Sequence, residues 1–234
     1  MRKFVDLHIR PNLESVNELE GMIKTAAYLG FSSLGIAITP DKCKEIENIK
    51  KICLSYGIDF VSRLDIAPRD KSSLYRDLEK FRSRFEIIGV NYVPRIVEND
   101  KRIDVIFFSS TIPPRAFFLK EARAAAESLI SFEMNLGSFI KLDGLDRAEY
   151  LSRLGIAVYF ARRAKMKLVV SSGAETKYLL RSPRDLAFLA TSFNLDFKQA
   201  VKSVSDIPLG LINGNRLRSS SNYIEEGVRL VGET

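Results

Sequence analysis

An α/β barrel is the architecture this sequence predicts, and three observations predict it. Short runs dense in Val, Ile, Leu and Phe alternate with longer amphipathic stretches along the whole chain. The short runs are apolar almost throughout rather than at every second residue, as in strands of a parallel sheet covered on both faces. No Gly- or Pro-rich linker interrupts the alternation, and 234 residues fill one barrel domain at the lower end of the usual size. Strand, helix, strand repeated in this way implies right-handed crossovers. No G-x-G-x-x-G turn follows any strand, so a closed or slightly irregular barrel is preferred to an open doubly wound sheet.

The elements follow in order. Strands are expected at 4–9, 33–38, 59–66, 87–93, 105–109, 130–136 and 168–172, with a short eighth at 209–212. Asn12 is placed to cap a first helix that runs to Leu29 and stops at Gly30. Thr39-Pro40-Asp41 reads as cap, first helical position and early acid; Ile46, Ile49 and Cys53 then make a buried stripe that Gly57 closes. Leu74, Leu78, Phe81 and Phe85 mark a third helix, and 115–128 a fourth. Asp146 and Glu149 resemble a capping box for a fifth that reaches Ala164. Ser182-Pro183-Arg184-Asp185 is the clearest cap, opening a sixth helix over 183–193; a seventh covers 197–204. Residues 219–234 form a tail that frays or docks.

Composition narrows the chemistry. Lys and Arg number 36 against 29 Asp and Glu, a net charge of +7, which favours a polyanionic partner. No apolar stretch is long enough to cross a bilayer, and 1–4 run directly into a strand pattern without a signal-peptide core, so a cytoplasmic protein is expected. Cys43 and Cys53, about 15 Å apart along one helical segment, are too distant for a disulfide and read as thiols of a reducing compartment.

In a barrel the functional groups sit at the C-terminal ends of the strands. His8 and Arg10 end the first strand; Lys42 follows the second; Arg63 and Asp65 lie on the third; Arg95 and Arg115 follow the fourth and fifth. Ser171-Ser172-Gly173 ends the seventh, with Lys177, Arg181 and Arg184 downstream, and Arg216 follows the eighth. This inventory of cations and small polar groups disfavours hydrolysis. A zinc or dinuclear site needs several imidazoles, thiolates or carboxylates on one point, and the chain has one His. Asp6, Asp65, Asp104 and Asp143 are the carboxylates available to hold magnesium. His8 reads as a hydrogen-bonded structural residue, and Asp6 as an acceptor for backbone inside the barrel. Arg63, within an apolar strand, needs either an acid such as Asp65 or an external phosphate. Arg162, Arg163, Lys165 and Lys167 read as a solvated face, because cations suit a helix C-terminus. Arg181 and Arg184 flank a helix N-terminus, where they and the backbone amides would hold an anion unless Ser182 takes those amides as cap. The candidates to hold a polyanion are therefore Lys42, Arg63, Arg95, Arg115, Lys177, Arg181, Arg184 and Arg216.

Some segments also carry a resemblance. Phe4-Val5-Asp6-Leu7-His8, Leu34-Gly35-Ile36-Ala37-Ile38, and above all Ser171-Ser172-Gly173-Ala174 followed by Leu180-Arg181-Ser182-Pro183-Arg184-Asp185-Leu186 are similar to the thirty-kilodalton ribonuclease P subunit family, component 3 of the archaeal enzyme. The similarity continues through Asn213-Gly214-Asn215 and Glu226-Gly227-Val228. It implies a TIM-barrel-like fold related to polymerase-and-histidinol-phosphatase metallohydrolases, whose first-strand His-x-His pair falls here on His8 and Arg10. It further implies a noncatalytic subunit that binds ribonuclease P RNA, a small ferredoxin-like partner subunit and the other ribonuclease P proteins. In that assembly the RNA removes the 5′ leader of precursor transfer RNA, and magnesium belongs to the RNA rather than to this chain. Two other readings are a metal-dependent phosphoesterase of the parental barrel type, and a small-molecule enzyme that holds a substrate phosphate at Ser172-Gly173 and Arg184.

Overall fold

The computed structural model describes residues 2–97, 99–108, 117–220, 223–225 and 228–229. Seven strands, β1 (Val5–Ile9), β2 (Ser33–Ala37), β3 (Asp59–Ile66), β4 (Ile87–Asn91), β5 (Val105–Phe107), β6 (Ser131–Asn135) and β7 (Leu168–Ser171), lie side by side in sequence order, all parallel. Around them run α1 (Val16–Tyr28), α2 (Ile46–Ser55), α3 (Lys71–Phe81), α4 (Leu119–Glu127), the one-turn α5 (Gly137–Ile140), α6 (Gly144–Arg163), α7 (Pro183–Thr191), α8 (Phe197–Ser203) and α9 (Asp206–Arg218). A short antiparallel pair, β8 (Tyr223–Glu225) and β9 (Val228–Arg229), follows.

The ring closes between β1 and β7 at its C-terminal end, where Ile9 bridges Ala174 and the Gly173 N–H donates to the His8 carbonyl (2.9 Å). At the other end of β1 the Val5 N–H donates to the Val204 carbonyl of the α8–α9 connection (2.9 Å). The expected eighth strand at 209–212 is therefore absent. Those residues belong to α9, which lays Ile212 across the N-terminal end of the barrel against Val5, Leu7, Val61, Ile87, Val105 and Val169. A four-residue apolar run fits a strand and a buried helix turn equally well, and Gly210 and Gly214 mask the helical signal. Asn215 fixes the plug by donating to the Glu86 carbonyl (2.6 Å) and to Asp104 (2.9 Å).

Strand residues alternate between two environments, as the two-residue period requires. One set, including Leu34, Ile36, Leu64, Ile88, Phe132 and Val170, packs outward beneath the helices. The other set points inward. It is apolar at the plugged end, then becomes polar toward the mouth through Arg63, Glu133 and Ser171.

Local chemistry sets the helix ends. Ser15 rather than Asn12 caps α1, receiving the Glu18 N–H (3.3 Å), while Asn12 accepts from the Glu14 N–H one turn earlier (3.1 Å). Pro40 begins a 3₁₀ turn (Pro40–Glu45) ahead of α2. α6 starts at Gly144, and its Glu149 pairs with Arg153 instead of closing a capping box. Cys53 is buried and Cys43 half-buried, both free; burial pushes the Cys53 thiol up to about 12.

Candidate functional site

The centre of the barrel mouth is a charge network built around a buried guanidinium. Arg63 on β3 is fully buried, and its guanidinium lies across the barrel bore. It donates Nη1 and Nη2 to the two oxygens of Glu133 on β6 (3.0 and 2.6 Å), Nε to Asp65 (2.7 Å) and Nη1 to the Leu7 carbonyl (2.9 Å). The two-pronged contact with Glu133 is the geometry in which a guanidinium binds a carboxylate most firmly. Ser171 on β7 donates a further hydrogen bond to Glu133. Gly89 on β4 makes the room: a Cβ there would stand 2.6 Å from both Arg63 Nη2 and Asp65 Oδ1. The ring of Phe107 on β5 covers the guanidinium at 5.4 Å and meets the His8 ring edge-on at 5.2 Å.

His8 completes the balance. Its Nε2 is 2.8 Å from Asp65 and its Nδ1 3.3 Å from Glu133, so the imidazole has an acid on each side. Burial and the neighbouring Arg63 both oppose protonation of His8, but the two carboxylates outweigh them and its pKa is raised. Burial alone would raise the two acids; instead the Arg63 charge, helped by His8, holds Asp65 far below the usual carboxylate range and Glu133 at about 2. One guanidinium and one imidazole thus stand against two carboxylates inside the mouth. Asp6 lies apart from this exchange. Its Oδ1 accepts the Ser172 N–H (3.0 Å) and the His8 N–H (3.3 Å), the backbone role expected of it, and burial lifts its pKa to about 6.

A cavity of about 570 Å³ opens above the network. Its charged lining is mixed: Arg10 and Lys42 face Glu14, Asp41 and Asp65. Lys42 pairs with Glu14 (2.5 Å) and Arg10 with Glu175 (3.4 Å).

These donors do not fit a divalent cation. His8 lies between the two network carboxylates with Asn135 Nδ2 3.2 Å from its Nδ1, and both carboxylates are engaged with Arg63, whose charge already stands where a metal would compensate them. The second position of the first-strand pair is Arg10. Among the described residues no group of three or more His, Cys, Asp or Glu side chains is arranged to hold a metal.

The sequence pattern of the RNase P subunit p30 family matches residues 3–220. The chain belongs to that family. It is 24% identical to ribonuclease P protein component 3 of Methanococcoides burtonii, over 98% of this chain and 94% of that one. It is 26% identical to the protein of the same name from Methanothermobacter thermautotrophicus, over 100% and 98% of the two chains. Among solved structures it superposes on a chain in a cryo-EM structure of archaeal ribonuclease P with mature tRNA, with a TM-score of 0.78, 20% identity and 98% of both chains covered. That likeness fixes the p30-family fold.

Within this p30-family barrel the candidate RNA contacts scatter. Arg63 was expected to grip RNA; it is sealed inside and its donors are spent on acids, so an acid rather than an external phosphate is its partner. Arg216, expected on the mouth after an eighth strand, sits instead on α9 at the plugged end, where it binds Asp59 (2.9 and 3.0 Å), Glu86 (2.5 Å) and the Phe60 carbonyl (3.0 Å). Arg181 donates to the Tyr178 and Leu180 carbonyls (2.9 and 2.8 Å), and Ser182 caps α7 through the Asp185 N–H (3.2 Å), so the anticipated anion pocket is filled from within. Lys177 stacks on Tyr178 (5.2 Å), and Arg184 is exposed. Arg95 is exposed on a left-handed turn (φ 66°), and Arg115 lies outside the described residues. Glu133 was missed although β6 carries a signal: a lone acid between Phe132 and Met134 in a buried strand demands a cation.

Proposed function

We propose that this chain is a noncatalytic protein subunit of ribonuclease P, which binds RNA and supports removal of the 5′ leader from precursor transfer RNA. The observation that carries the reading is the barrel mouth, the place where this fold puts catalysis. A guanidinium occupies it between Asp65 and Glu133, and among the described residues no donor set there suits a metal. Family membership over residues 3–220 and the net charge of +7 support the rest. Cationic side chains displace condensed counterions from phosphate backbones and fix the register of an RNA helix without reading its sequence. In this reading the cut and its magnesium belong to the RNA subunit. The partners are that RNA, a small ferredoxin-like ribonuclease P protein, the other ribonuclease P proteins and, through the assembly, precursor transfer RNA.

The test uses the purified chain with labelled ribonuclease P RNA and precursor transfer RNA. Binding to the ribonuclease P RNA is expected to weaken steeply with salt, and no cleavage is expected with magnesium or manganese. Manganese-dependent cutting by the chain alone would overturn the reading in favour of a phosphoesterase.

A further inference from the structure

We infer that the face that meets RNA is a cationic groove at the plugged end of the barrel, opposite the mouth. The inference rests on the proposed RNA-binding role and names the surface that performs it. The groove, of about 630 Å³, lies between the C-terminal end of α6, the residues leading into β7, and α8. Arg162, Arg163, Lys165, Lys167 and Lys202 line it, all exposed, and no carboxylate does. Among the described residues none of these cations is within ion-pair distance of an acid, whereas Arg10 and Lys42 at the mouth both are. The acids nearest Lys202 in sequence are occupied: Asp196 caps α8 through the Gln199 N–H (2.8 Å) and Asp206 faces Arg2 (3.9 Å).

The plain alternative is a solvated face at a helix C-terminus, where the helix dipole favours cations. That accounts for Arg162 and Arg163 in the last turn of α6 and Lys202 in the last turn of α8. It does not account for convergence. Segments some forty residues apart (about 160 to 200) bring cations around one concavity, where they repel one another until an anion enters. The floor beneath them, Met166, Leu168, Leu195 and Ile207, is apolar and belongs to the barrel wall and the plug, so the cations stand on a rigid support. Tyr159 lies half-exposed at the lip, its hydroxyl 3.3 Å from Arg163 Nη1 and its ring 5.9 Å from that guanidinium. A broad, open, all-cationic surface with an aromatic–guanidinium edge suits a phosphodiester backbone of structured RNA better than a single small anion.

The test compares two charge reversals of equal size. One is K165E/K167E/K202E in the groove; the other is K71E/R76E/K80E on α3, a quarter-turn or more away around the barrel. Each full-length variant, checked by circular dichroism and thermal melting, is titrated with cognate ribonuclease P RNA over a salt series. The groove reversal is expected to cut affinity at least tenfold more than the α3 reversal and to flatten the plot of log affinity against log salt by about 2–3. The milder K165Q/K167Q/K202Q should show the same trend if the reversal disturbs folding. Equal losses from both reversals would reduce the effect to net charge and overturn the inference. So would retained RNA affinity with lost binding of the sister protein subunits, which would make the groove a protein interface. If instead the unmutated chain itself fails to bind this RNA, the role proposed for the whole protein falls, independently of where the groove lies.

Discussion

A guanidinium sealed inside a protein persists only beside anions, because removing either partner leaves an uncompensated charge in a poor solvent for it. Arg63 meets that condition through Asp65 and Glu133, and Gly89 leaves it the space. Arg63→Met is therefore expected to lower unfolding stability by about 3–5 kcal/mol, read by urea denaturation. Lys42→Met, which removes a partner of Glu14 near the surface, should cost far less. Comparable losses would mean that the buried network contributes no more than a surface pair. Asp6 gives the opposite sign. Its folded pKa of about 6 stands above the ordinary 3.8, so the folded protein holds the extra proton and stability falls as pH rises across that interval. Asp6→Asn keeps an acceptor for the Ser172 and His8 amides and removes the titration. The variant should gain about 2–3 kcal/mol relative to the parent between pH 3.8 and pH 7, measured by denaturation at several pH values. A pH-independent difference would contradict the burial of Asp6 as an acid. The sequence made Arg63's need for a partner visible, and left acid or phosphate open. Choosing between them required Glu133, which stands 70 residues away and is brought across the bore only by barrel closure.

At the scale of elements, strands were legible where both faces are buried, since β1 to β7 fall within the seven apolar runs to within a residue or two. Helix α7 was legible for a different reason: Ser182 and Pro183 start a helix by local chemistry alone. Neither signal marks α9. Its direction is set by the open end of the barrel, which offers Ile212 a ring of apolar partners that no local pattern announces. Ile212→Ala is accordingly expected to cost about 2–5 kcal/mol, as for truncation of a buried aliphatic side chain in a core, and to raise hydrogen exchange in β1 and β7 together. A surface-like loss under about 0.5 kcal/mol would show that α9 lies on the barrel without plugging it.

Across the whole molecule, the two ends of the barrel differ in charge organisation. The mouth pairs Arg63, Arg10 and Lys42 with acids, inside the bore and around the cavity above it, while one groove at the plugged end gathers five cations without an acid. The sequence reported the total of +7 but not this separation, because α6 and α8 meet only after the chain has wound around the barrel. No described helix is long and apolar enough to cross a membrane. A barrel whose mouth holds a guanidinium between two acids, and whose far end carries one all-cationic groove, accords with the proposed role on RNA. The most direct measurement is the rate of 5′ leader removal from precursor transfer RNA by cognate ribonuclease P RNA and the sister proteins, with this chain added or omitted. Adding it should accelerate cleavage at limiting magnesium while the chain alone cuts nothing; an unchanged rate, or cutting by the isolated chain, would contradict the account.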